Sequence, residues 1–182
     1  MPHLLAAHDW HISSDADGLY AGLLLLRVVL GLTVAAHGYN KFFGGGKIAG
    51  TARWFDSMGM RPNGTIHALM AASTELGGGL LFALGLLTPL ASAGIIGVMV
   101  VAAWTSHRKN GFFIVKDGWE YNLVIATIAM AVALTGPGAY SLDWQLKLEF
   151  VFSPSIAAPV AAFGLLAGVL LIATCYRPPA ED

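Results

Sequence analysis

Cysteine and charge are both scarce in this sequence. A single cysteine, Cys175, excludes an internal disulfide, a Cys-x-x-Cys redox pair, a c-type haem attachment site and a cysteine-ligated iron–sulfur cluster. Charged residues make up 12% of the chain, with ten Lys and Arg against eleven Asp and Glu. A net charge of −1 leaves no basic field of the kind that nucleic-acid binding requires, so no nucleic-acid partner is expected. The glycine run at residues 44–46 follows no strand and precedes no GK[ST], which argues against a phosphate-binding loop. The opening residues, MPHLLAAHDWHISSDADG, lack a basic n-region and a small-residue cleavage ending. They read as a polar tail over 1–17 and not as a signal peptide.

What the chain has in excess is apolar surface. Hydrophobic residues make up 56% and the mean hydropathy is +0.66, which points to the bilayer. A spanning helix needs roughly 20 mostly apolar residues. Five segments approach that: 18–41, 64–87, 89–107, 119–135 and 157–176. The expected fold is therefore all-α: a four-helix transmembrane core over 18–135, a loop over 136–156, a fifth C-terminal transmembrane helix over 157–176 and a short tail over 177–182. Small residues at Ala157, Ala161, Gly164 and Gly168 form a stripe suited to close helix packing. Within the link between the first two segments, Ile48, Ala52, Phe55 and Met58 fall at helical spacing, which predicts a short interfacial helix ended by Gly59. With five spans, every Lys and Arg in loops or tails, Lys41 included, falls on one side except Lys147. The opposite side carries Asp9, Asp15, Asp17, Asp143 and Glu149. The positive-inside rule then places the N-terminus outside and the C-terminus in the cytoplasm of a multi-pass plasma-membrane protein.

The few charges inside these segments are the informative residues. Arg27 lies about nine residues into the first segment, or roughly 13 Å. Glu75 lies about eleven residues into the second, and a lone charge at such depth costs about 2.5–3.5 kcal/mol. An Arg27–Glu75 ion pair locking the two helices together is one expectation; a polar, ligand-touching cavity is the other. At 100° per residue, Arg27, His37 and Lys41 share one broad face of the first helix. Gly31, Val34 and Gly38 leave room beside them. Lys41 is near enough to the helix end to snorkel to the interface. The fourth segment has only twelve clean apolar residues, 123–134, or roughly 18 Å, too short for a core of about 30 Å. Its helix must therefore extend back through Asn122, Tyr121 and Glu120. The carboxylate of Glu120 would then need a partner among His37, Lys41 and His107. The sequence thus predicts a pocket at the cytoplasmic end with His37 and Lys41 on one wall, Arg27 and Glu75 at its floor, and His107, Glu120, Tyr121 and Asn122 on the other wall.

Three stretches carry a family likeness: RVVLGLTVAAHGYNKFFGG, ASTELGGGLLFALGLLTPLASAG and HRKNGFFIVKDGWEYNL. In order and spacing the chain resembles the DoxX family of small bacterial membrane proteins over about residues 19–134. The resemblance implies a four-helix membrane bundle whose recurring polar positions are His37, Lys41, Glu75, His107, Glu120 and Asn122. It also implies redox or sulfur chemistry. A related branch is a membrane subunit of a thiosulfate:quinone oxidoreductase. Some members are associated with an oxidoreductase complex that includes superoxide dismutase and a thiosulfate sulfurtransferase.

Two functions are expected to compete. In the first, the pocket holds menaquinone, another quinone, or a small redox or sulfur ligand. His37, His107 and Tyr121 donate hydrogen bonds and Glu75 or Glu120 relays protons, with Glu75 and His37 the candidate catalytic groups. The chain has no redox-active cysteine pair and no flavin motif, so electrons would come from a partner or substrate. Haem is not expected, since His37 and His107 both sit near helix ends. In the second, the protein is a non-catalytic anchor or scaffold for cytoplasmic oxidoreductase partners. Whether it is itself an enzyme, and whether it forms an oligomer, is left open.

Overall fold

A computed structural model describes residues 16–179; most of the expected N-terminal tail, 1–15, and the last residues of the expected C-terminal tail, 180–182, lie outside it. The described chain is all-α, with a lone antiparallel pairing of Met60 with Tyr176 and no longer strand among the described residues. Seven helices follow in order: α1 Asp17–Phe43, α2 Lys47–Ser57, α3 Gly64–Leu84, α4 Thr88–Asn110, α5 Glu120–Thr135, α6 Leu142–Gln145 and α7 Pro154–Cys175. Four of them, α1, α3, α4 and α7, are long and apolar enough to cross a membrane. The C-terminal helix is thus long and apolar enough to span. The fourth expected segment, α5, is an apolar helix shorter than these: sixteen residues, or about 24 Å, against a hydrocarbon core of about 30 Å.

Local chemistry explains where the helices stop. The glycine run ends α1, with Gly45 at φ +45 and Lys47 at φ +53. Asn63 caps α3 by accepting from the Thr65 amide at 2.7 Å. Gly85, at φ +64, ends α3 in the left-handed conformation glycine favours. Pro89 sits in the first turn of α4 and Pro154 opens α7. The expected interfacial helix is α2, with Ala52 and Phe55 buried.

The helices α1, α4 and α7 run one way and α3 and α5 the other. One end of the bundle therefore gathers Lys41, Lys47, Arg53, Arg61, Arg108, Lys116 and Arg177, and is called the basic end below. Backbone bonds from Arg61 N to Cys175 O (2.8 Å) and from Arg177 N to Gly59 O (2.9 Å) tie the end of α7 to the α2–α3 link at that end. Helix α4 is central, packed against α3, α5 and α7. The small stripe of α7 faces it: a methyl on Gly164 would strike the backbone of Ala93. Helix α1 seats on α3 through Gly31 and Gly38, where a methyl would strike the backbones of Gly79 and Ala83, and of Ala72 and Leu76. Between these contacts, Leu30, Val34, Phe82, Ile95, Ile125 and Val132 form the buried core.

Candidate functional site

The α1–α3 register decides which charges meet. Gly31 faces Gly79 and Ala83, and Gly38 faces Ala72 and Leu76. Arg27 is therefore level with Gly85, and Glu75 is level with Gly38, about eleven residues or 16 Å away along the bundle. The expected Arg27–Glu75 pair does not form. Depths counted inward from opposite ends coincide only for flush helices of about 20 residues, and α1 has 27. Glu75 pairs instead with Lys41, Nζ to Oε2 at 2.5 Å, so Lys41 does not simply snorkel. Arg27, fully buried, donates to the carbonyls of Ala83 (3.1 Å) and Tyr140 (2.5 Å) far from the basic end.

At the basic end the passes enclose a cavity of about 520 Å³. His37 and Lys41 of α1, Glu75 of α3, His107 of α4, and Tyr121 and Asn122 of α5 all line it. These six expected residues are brought together, while Arg27 and Glu120 are not among the lining residues. Glu120 finds a local partner: its Oε2 accepts from the Ile114 amide at 2.9 Å and so holds the 111–119 loop. Trp54 and Phe55 of α2 and Ile114 and Asp117 of that loop close the cavity from the basic end; Gly168 and Leu171 of α7 form its back. Glu75 and Asn122 are buried, whereas His37 and Tyr121 are exposed on the bundle surface, so the polar interior has a mouth on the side of α1 and α5.

Two π-helical turns shape this wall. Thr74–Gly78 interrupts α3 and presents Thr74 and Glu75; Ala103–His107 interrupts α4 and presents Thr105, Ser106 and His107. A π turn inserts one residue into an α-helix, redirects the side chains around it, and recurs at functional sites. His107 is oriented from outside its helix: its Nδ1 lies 2.9 Å from the Asp117 carbonyl oxygen and 3.4 Å from the Asp117 carboxylate. Asn122 has a poor partner for a buried amide, donating to the thioether of Met99 at 3.6 Å.

Sequence reasoning passed over His67, Thr74 and Asp117. His67 is buried, lines the cavity, contacts the Arg61 carbonyl oxygen through Nε2 at 2.7 Å and stacks near Phe55. Its signal was available: it lies eight residues before Glu75, about 80° away around the helix. Asp117 belongs to a loop, where no period could place it.

The family model for DoxX matches residues 22–108. The protein from Bacillus subtilis (strain 168) named "Putative oxidoreductase CatD" is 31% identical over 122 residues, which cover 67% of this chain and 84% of that one. The chain belongs to the DoxX family. The "Inner membrane protein YqjF" of Escherichia coli (strain K12) is 29% identical over 129 residues, 71% of this chain and 95% of its own. No solved structure matches. This DoxX protein is thus a multi-pass membrane protein that contacts the bilayer. The family match ends at Arg108, so the α5 and α7 walls of the cavity, including Tyr121, Asn122 and Gly168, lie beyond it.

Proposed function

We propose that the cavity binds the head group of a quinone, such as menaquinone, or a comparably small redox or sulfur ligand, and that the protein is the membrane subunit of a redox complex. The observation that carries this reading is the Lys41–Glu75 pair, with His37, His107 and Asn122, set in a largely apolar cavity with a mouth on the bundle surface. Such a mixture suits a ligand with a polar head and an apolar body. The donor set fits a quinone: ring nitrogens of His37 and His107, the Tyr121 hydroxyl and the Asn122 amide are hydrogen-bonding groups on several sides of one space. When bound, a quinone would supply the electron-accepting chemistry. The chain's own residues would bind and orient the head group, hold a carboxylate and an ammonium beside it, and exclude bulk water by the Trp54, Phe55 and Ile114 cover. Electrons would come from a partner, with oxidoreductases, superoxide dismutase and sulfurtransferases the classes suggested by the family. The name of CatD supports oxidoreductase chemistry in the family. The positive-inside rule puts the basic end, and with it the cavity, on the cytoplasmic side.

Purified protein should carry menaquinone that organic extraction recovers, and Glu75→Gln or His37→Ala should deplete it. Protein that stays free of quinone in several mild detergents defeats the proposal. The scaffold reading draws on one feature, the loop tip at residues 113–115, whose Val115 is 87% exposed beside Lys116 at the basic end. If Glu75→Gln abolishes sulfide- or thiosulfate-dependent quinone reduction while partner pull-down stays intact, a purely scaffolding role fails.

A further inference from the structure

A second cavity of about 460 Å³ lies between α4 and α5, reaching from Trp119 to Leu134 along the short helix and bordered by Leu165 of α7. Fifteen residue steps of α5 make it about 22 Å long. Its walls are almost wholly apolar, and the small side chains of Ala126 and Ala131 along α5 leave the channel open. Two residues, Met99 and Asn122, line both this groove and the polar cavity. They touch each other across the boundary, amide nitrogen to sulfur at 3.6 Å. That contact is a weak partition. Methionine is flexible and repacks readily, and a thioether is a poor acceptor for a buried amide.

From this juxtaposition we infer that the two cavities are one site for an amphiphile, with the polar head among Lys41, Glu75 and Asn122 and the prenyl tail threaded past Met99 into the α4–α5 groove. The inference rests on the quinone reading above and extends it to the tail. Met99 swings aside, and the freed Asn122 amide donates to the head group. The tail then follows a groove continuous with the head site while staying in contact with the hydrocarbon core, so a ligand dissolved in the membrane need not leave it.

The test uses wild-type protein in nanodiscs and two probes, tail-free menadione and a long-tailed menaquinone, with binding measured at fixed quinone-to-lipid ratios. Ala131 and Thr127 are both exposed in the groove, away from the polar cavity. Ala131→Trp and Thr127→Trp place a bulky ring in the tail's path. Each should weaken menaquinone binding by about tenfold or more through overlap, while leaving menadione binding as in the wild type. If both variants bind menaquinone like the wild type, the groove is an ordinary lipid-facing surface and this inference falls while the head-group site stands. If both lose menadione as much as menaquinone, head and tail sites are not separable and the inference falls as well. If wild-type protein binds neither probe, the quinone reading itself has failed and takes the tail site with it.

Discussion

Arg27 with Asp143 at one end of the bundle, and Lys41 with Glu75 at the other, are both sets of opposite charges removed from water. At the first end most polar groups are spent on the fold, although the Arg27 Nε is buried without a hydrogen-bond partner. Asp143 is fully buried and accepts from the Leu87 amide (2.7 Å), the Thr88 amide (3.0 Å) and the Thr88 hydroxyl (2.6 Å), capping the start of α4 from a distant loop. Arg27 is committed to two backbone carbonyls, with the Asp143 charge nearby. The second end satisfies its charges with each other and lines an open volume with His37, His107, Tyr121 and Asn122, of which Asn122 has only a thioether for a partner. A buried charge is therefore not by itself a site. What separates the two is whether the surrounding polar groups are used up by the fold.

Asp143→Ala gives the largest expected effect. It strips three hydrogen bonds and leaves the Arg27 guanidinium without a counter-charge, a loss of about 3–5 kcal/mol. Thermal unfolding in detergent should show it as a large drop in Tm, and the cavity should keep its ligand wherever the protein stays folded. Gly38→Ala comes next. Its methyl would overlap the Leu76 backbone, so α1 must move off α3 at a cost of about 1–3 kcal/mol. Because His37 and Lys41 flank that contact, quinone retention should fall with it, unlike the result at Asp143. Glu75→Gln should invert the Asp143 pattern. The Lys41 side chain is 19% exposed and can turn its ammonium to the interface, so stability should fall by only about 1 kcal/mol. Ligand retention should fall by about tenfold. A Tm loss as large as that of Asp143→Ala would make Lys41–Glu75 a structural pair as well, and the contrast between the ends would disappear.

The contrast also marks what could be read from the residues alone. The long helices were legible because apolar runs near twenty residues have few other uses. The extension of α5 back to Glu120 followed from the shortness of its clean apolar stretch. Side chains on one helix were legible by rotation, which put Arg27, His37 and Lys41 on one face, and Glu75 stood out as a charge deep in an apolar run. Partners were not, because pairing depends on how far one helix slides along another, and here Gly31 and Gly38 fix that slide. The loops were opaque for a related reason. Asp143 and Asp117 reach a helix terminus and His107 only because their segments fold back, with Asp117 in the left-handed region at φ +60. The π turns at Glu75 and His107 carry no period that distinguishes them from the helices around them.

The smallest expected effect tests whether the Arg27 end keeps its network independent of the cavity. Tyr140, whose carbonyl holds Arg27, offers its hydroxyl to Asp17 at 3.3 Å. The Asp17 carboxylate disfavours a second negative charge beside it and pushes the phenol above its ordinary value of about 10. The folded protein therefore favours the neutral phenol more than the unfolded chain does. That preference is complete below the ordinary value, weakens as pH rises above it, and is gone once pH passes the raised folded value. Asp17→Asn should move the tyrosinate absorbance transition to lower pH without altering quinone content. The shift should be small because the pair is at the surface, where solvent and salt screen it. A change in quinone content would mean that the two ends communicate, and that the α1 register set by Gly31 and Gly38 is not rigid enough to isolate them.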